Sequence, residues 1–97
     1  MENQSMNELV TRAVAPLETS FGDGVMLCDI ESGDTFALNV TAAAIWEAIR
    51  QPATVAEIRQ KLQQRFEVDD AACAEAVTLT LGELHKRKFV RIEPGQS

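Results

Sequence analysis

Residues 25–50 read VMLCDIESGDTFALNVTAAAIWEAIR. Two strand-forming runs, Val25–Ile30 and Thr35–Leu38, flank the turn Glu31-Ser32-Gly33-Asp34. That turn has hairpin chemistry, because Gly33 takes a positive φ without a Cβ clash. Val25–Ile30 is almost continuously apolar and reads as a mostly buried strand. Its partner alternates, which sets Phe36 and Leu38 on one face. Leu38-Asn39-Val40-Thr41 then runs straight into a helix that Asn39 or Thr41 can cap. Ala42, Ile45, Trp46 and Ile49 follow at i, i+3, i+4 and i+7, and Trp46 is the only tryptophan. A hairpin feeding an amphipathic helix is the frame around which the rest is placed.

Upstream, Leu9–Val14 is β-branched enough for a first strand, which Pro16 stops. Phe21-Gly22-Asp23-Gly24 reads as a loop with two glycines for tight turning. Downstream, Gln51-Pro52 ends the first helix, since the residue before proline is pushed out of the helical region. Thr54 and Glu57 form a capping box for a second helix with the stripe Val55, Ile58, Leu62, Phe66. A third helix starts at Asp69 and runs to about Lys88, with Cys73, Val77, Thr80, Leu81 and Leu84 on one side. Phe89–Ile92 reads as a short extended tail before Pro94-Gly95. The expected architecture is α+β, a winged helix-turn-helix with a three-stranded antiparallel sheet followed by three helices, in the order βββααα. It occupies residues 9–92, between disordered tails at 1–8 and 93–97.

The 97 residues allow one core, and 45% hydrophobic with 25% charged residues is an ordinary globular balance. No apolar run approaches the ~20 residues of a membrane span. MENQSMNELV lacks the basic start and apolar core of a signal peptide, so the expectation is a cytoplasmic protein. Cys28 and Cys73 then read as reduced core residues, with no ligand spacing for a metal. The net charge is −6, from 15 acids against 9 bases. A field of that sign disfavours nucleic acid and anionic membrane, both of which are bound through Lys and Arg. The bases His85, Lys86, Arg87, Lys88 and Arg91 form one patch near the C-terminus.

Catalysis has no visible constellation. The lone histidine, His85, lies in a basic run at a helix end, where it complements the dipole. Asp69 and Asp70 stand at a helix N-terminus, where negative charge is stabilising anyway. There is no phosphate loop, nucleophile triad or metal motif. The expectation is therefore no enzyme activity, no cofactor and no metal. A winged-helix DNA-binding regulator is the alternative that the fold suggests. A recognition helix opening Asp69-Asp70-Ala71-Ala72-Cys73-Ala74-Glu75 would, however, turn acids toward phosphate. What remains is an interaction module. A small sheet ends in an edge strand with unpaired N–H and C=O groups, and Asp34, Thr35, Phe36, Ala37 and Leu38 are its candidates. An extended peptide can add to such an edge. Val77, Thr80, Leu81 and Leu84 are candidate floor residues on the third helix, and Arg87 and Lys88 can attract an acidic peptide. The bland reading of the apolar members is core.

The pattern GVMLCDIESGDTFALNVTAAAIWEAI at 24–49, the segment Thr54-Val55-Ala56-Glu57-Ile58 and the run Phe66-Glu67-Val68-Asp69 together resemble the PqqD-like family. The resemblance spans about residues 9 to 92. It implies a winged-helix recognition element that binds the leader of a ribosomally made, later modified precursor peptide. The leader would add to the third strand, here Thr35–Leu38, in the cleft against the third helix. The element would then present the precursor to a modifying enzyme: a leader protease and cyclase in lasso-peptide clusters, or a radical SAM enzyme in pyrroloquinoline quinone synthesis. The lasso-type context is the preferred expectation and the quinone-type chaperone the alternative. Many members carry a tyrosine near Phe36, and this chain has no tyrosine at all. Expected partners are thus a precursor leader and its enzyme, with no nucleic acid and no membrane. The free chain is expected to be a monomer or weak homodimer.

Overall fold

Residues 7–94 are described by a computed structural model of the chain. The expected hairpin forms as β3 (Gly24–Cys28) and β4 (Thr35–Leu38), and it belongs to a longer meander that begins with β2 (Leu17–Phe21). The turn between β3 and β4 is held by its own side chains. The Ser32 hydroxyl donates to Asp29 (3.0 Å), the Gly33 N–H donates to the Asp29 carbonyl (2.8 Å), and Gly33 sits at φ 80°. At the other hairpin, Gly24 lies so close to the Leu38 carbonyl that any Cβ would collide with it. Only glycine lets the end of β4 approach β3 this closely.

Helix α1 (Val40–Ala48) follows at once. Asn39 is its cap, the side-chain oxygen accepting from the Ala42 N–H at 2.9 Å. A two-residue strand β5 (Ala53–Thr54) leads into α2 (Val55–Arg65), where the capping box forms: Glu57 N–H to Thr54 Oγ1 at 3.1 Å and Thr54 N–H to Glu57 Oε1 at 2.9 Å. Asp69 caps α3 (Asp70–Lys86), and β6 (Val90–Glu93) closes the described chain. The result is a small α+β fold with antiparallel sheets and three helices. Among the described residues no helix is long and apolar enough to cross a membrane.

The strands depart from the expected single sheet. Among the described residues six strands form two three-stranded sheets, β5-β1-β6 and β2-β3-β4. β1 (Leu9–Arg12) does not join the hairpin but pairs Val10 with Ala53 on one side and Ile92 on the other. Leu17–Phe21, to which the sequence assigns no element beyond the start of the Phe21–Gly24 loop, is the strand β2, and the presumed tail Phe89–Ile92 is largely the strand β6. β2 escaped because all five of its residues are exposed, so it carries no buried-face periodicity. β5 and β6 escaped because their partner lies more than 40 residues away along the chain. The expected tails at 1–8 and 93–97 fall mostly outside the described residues. Where they overlap them they are tied down: the Glu8 carbonyl accepts from Val55 N–H (3.0 Å), and Glu93 pairs with Leu9.

The core runs between the two sheets. α1 packs on β3, α3 on β6, and all three helices on one another. Val10, Leu27, Ile45, Trp46, Ile49, Ile58, Val77, Leu84 and Phe89 are at most 1% exposed. Each such aliphatic or aromatic side chain contributes roughly 1.5–3 kcal/mol on burial. Phe89 joins the halves, with its ring 6.5 Å from Phe36, stacked, and 6.4 Å from Trp46, edge-on.

Candidate functional site

Among the described residues β4 is an open edge of its sheet, with β3 as its one neighbour in the order β2-β3-β4. The ladder says which of its groups are free. The Asp29 N–H donates to the Asp34 carbonyl at 2.8 Å, in register with Leu27 opposite Phe36 and Val25 opposite Leu38. Hydrogen-bonded pairs alternate along an antiparallel ladder, so Phe36 and Leu38 turn their backbone groups toward β3. Thr35 and Ala37 therefore turn theirs outward.

Beside this edge lies a cleft of about 190 Å³, lined by Phe36, Ala37, Asn39, Ala42, Leu79, Thr80 and Glu83. One bank is β4 with the start of α1, and the other is the outer flank of α3. Phe36 is held rigidly at the base. Phe89 stacks on it, and the Arg87 guanidinium lies 4.4 Å from its ring centroid. Arg87 also meets Glu83 one turn back, at 3.6 Å, so its charge is shared with a carboxylate on the same rim. Leu79 is a large aliphatic that is 63% exposed, with its side chain on the cleft. The arrangement offers outward-facing amides beside an apolar slot with a charged end, which suits an extended peptide.

The residues singled out in the sequence divide into two groups. Asp34, Thr35 and Ala37 are exposed on or beside the edge, Phe36 is half-buried, Thr80 lines the cleft, and Arg87 covers Phe36. Leu38, Val77, Leu81 and Leu84 are core, at 2%, 1%, 5% and 0% exposure. None of them lines the cleft beside β4, because the stripe that packs α3 against its neighbours is taken up by the core. Lys88 is exposed, and its backbone is left-handed at φ 68°. It ends α3: its N–H donates to the His85 carbonyl (3.0 Å) and the Phe89 N–H to the Leu84 carbonyl (2.9 Å), which is a Schellman pair. Leu79, Glu83, Asn39 and Ala42 were missed. Leu79 had a legible signal: with Cys73, Val77, Leu81 and Leu84 marking the buried stripe, it is a large aliphatic on the opposite flank.

The acids at the start of α3 are occupied locally, Asp69 capping Ala72 and Asp70 accepting from Gln63 Nε2 at 2.8 Å. Among the described residues no group of three or more His, Cys, Asp or Glu side chains converges.

Residues 24–90 match the family model described as Coenzyme PQQ synthesis protein D (PqqD). Among solved structures the chain is similar to one described as TbiB1 in complex with the TbiA(beta) leader peptide. The TM-score is 0.72 at 18% identity, over 84% of this chain and 94% of that one, which is a likeness of fold. No curated protein matches the chain.

Proposed function

Because the chain belongs to the PqqD family, matched over residues 24–90, we propose that it is a recognition element for the leader of a ribosomally made precursor peptide. The observation that carries this reading is the free edge of β4 lying along the cleft under α3. A leader adds as a fourth strand, taking the outward N–H and C=O groups of Thr35 and Ala37. Each such bond contributes about 0.5–1.5 kcal/mol net, so the main chain alone gives weak, sequence-blind binding. Specificity comes from one apolar leader side chain seated between Phe36, Ala42 and Leu79, with Glu83 and Arg87 reading the polarity of a neighbour. Ordering a free leader costs conformational entropy, which is why one or two anchors decide affinity.

In this reading residues 9–92 form a winged helix-turn-helix domain, with α2 and α3 as its helix pair. The domain performs no chemistry of its own and acts in the cytoplasm as an adaptor between precursor and enzyme. The preferred enzyme partners are a leader protease and a cyclase of lasso-peptide type. The similarity to a structure described with a leader peptide supports the class of ligand. A radical SAM enzyme of quinone synthesis is the alternative, supported by the family's description.

The test is an amide NMR titration of the labelled chain with the leader half of a precursor encoded beside it. Shifts confined to residues 34–39 and to 79–87 are expected. A saturating titration with no shifts there, or with shifts only elsewhere, would refute the site. Adding each candidate enzyme to the preformed complex then distinguishes the two pathways.

A further inference from the structure

Among the described residues the sheet that carries β4 has a second open edge, β2, on its opposite side. All five residues of β2 are exposed, including Leu17 at 58% and Phe21 at 57%. Edge strands of soluble proteins are ordinarily protected by outward charges, prolines or a covering element. Pro16 guards only the start of β2, and the one charge within it, Glu18, is turned inward. Its carboxylate accepts from the Trp46 indole N–H at 2.9 Å and pairs with Arg12 at 3.3 Å. The other face of the strand, Leu17, Thr19 and Phe21, carries no charge. Met26 and Cys28 on β3 and Thr35 and Ala37 on β4 continue that face, since each stands in register with its members.

The geometry points to a second copy of this chain as the occupant of that edge, through antiparallel pairing of β2 with β2 about a two-fold axis at Thr19. Val25 and Leu27 turn their backbone groups toward β4, so Met26 and its even-numbered neighbours turn theirs toward β2. Leu17, Thr19 and Phe21 are therefore bonded to β3, while the N–H and C=O groups of Glu18 and Ser20 point outward. With the axis at Thr19, Glu18 of one copy faces Ser20 of the other, twice over. These are hydrogen-bonded pairs, and about four new bonds satisfy every outward group of residues 18–20. Leu17 then faces the second copy's Phe21 and Thr19 faces Thr19 in the closer, non-bonded pairs, where side-chain contact is strongest. No like charges meet along the strand, although each chain carries −6 overall. Such an interface is isologous and closes on itself.

The product is a continuous six-stranded sheet, β4-β3-β2-β2-β3-β4, with both β4 edges free at its ends. At ~4.8 Å per strand these edges lie about 24 Å apart. Resting on the proposed function for this point alone, the dimer carries two leader sites without occluding either. The pairing itself does not depend on what β4 binds. The interface lies well below the ~1,200 Å² of a stable complex, so dissociation constants of roughly 10–500 µM are expected.

Sedimentation equilibrium of the full chain from about 10 µM to 1 mM should show a monomer–dimer equilibrium in that range. Thr19→Lys sets two ammonium groups face to face on the axis and should stay monomeric throughout, with unchanged circular dichroism. In a Cys28→Ser background, Thr19→Cys should oxidise to a disulfide dimer, since opposed non-bonded residues lie within bridging distance. Ser20→Cys, whose counterpart is offset by two residues, should not. A wild-type chain that stays monomeric at every concentration would overturn the proposal. So would equal cross-linking of the two cysteine variants. Amide shifts on β2 that appear only with an added enzyme would reassign the edge to that enzyme.

Discussion

At Leu79 and Leu81, two leucines two positions apart on α3, opposite consequences follow from the 3.6-residue period. Leu81 is 5% exposed and packs in the core, whereas Leu79 lies 63% exposed on the cleft. Leu79→Asp should leave the melting temperature within about 2 °C and weaken leader binding at least tenfold, as calorimetry and titration would show. Leu81→Asp places a carboxylate in the core and should cost about 4 kcal/mol or more, giving an unfolded or barely folded chain. If the two variants behaved alike, the placement of the cleft would be wrong. Lys88 is a second case where one residue decides. At φ 68° its Cβ is strained, and glycine is the residue suited to that turn. Lys88→Gly should raise stability by about 0.5–1 kcal/mol, visible as a higher urea midpoint at unchanged slope.

Among the elements, β4 turns one backbone side to β3 and the other outward. Ala37 points its N–H outward and Phe36 points its N–H at β3, by the register that Asp29 and Asp34 set. Proline at an edge is tolerated where the lost donor faces solvent. Ala37→Pro should therefore keep the fold and lower leader affinity by roughly tenfold, since one main-chain bond and its alignment are lost. Phe36→Pro should instead break the β3–β4 ladder and destabilise the chain. Thermal melts and titrations of the pair separate the two effects, and a folded Ala37→Pro with full affinity would exclude strand addition at this edge. The helices were more legible than the strands. The caps Asn39, Thr54 and Asp69 stand where local side-chain chemistry puts them.

For the whole molecule, a small clamp couples the two sheets. Arg12 on β1 donates to the Trp46 carbonyl at 2.6 Å, lies 3.9 Å from the centroid of the Trp46 ring, and pairs with Glu18 on β2. Burial lowers the guanidinium pKa from its usual value while Glu18 beside it raises it, and the Nε is buried without a hydrogen-bond partner. The site is thus polar, desolvated and incompletely satisfied. Removing Arg12 would leave the Trp46 carbonyl with only the longer bond from the Ile49 N–H at 3.3 Å and would strip the ring and Glu18 of their cation, so Arg12→Ala should cost about 1–3 kcal/mol. Trp46 is the only tryptophan and is 1% exposed, so its fluorescence reports on this junction. Urea unfolding followed by fluorescence and by circular dichroism should coincide in the wild type. In Arg12→Ala the fluorescence transition should come first, and coincident transitions there would mean that the clamp does not couple the sheets.

The sequence by itself determined what is local: the β3–β4 hairpin from its glycine turn, three helices from their caps and apolar period, and the edge residues Asp34–Ala37 from a strand that ends a meander. It also determined the family, through spacings along residues 24–69. Tertiary structure alone decided how the strands were shared out. β1 takes Ala53 and Ile92 as neighbours, and nothing within a few residues of any of them records that pairing. It also decided which flank of α3 faces the cleft. Periodicity shows that a helix has an apolar stripe, and burial shows that the stripe is already used by the core. The flank on the cleft is the remainder, marked by Leu79, and becomes visible only when β4 and Phe36 lie beside it.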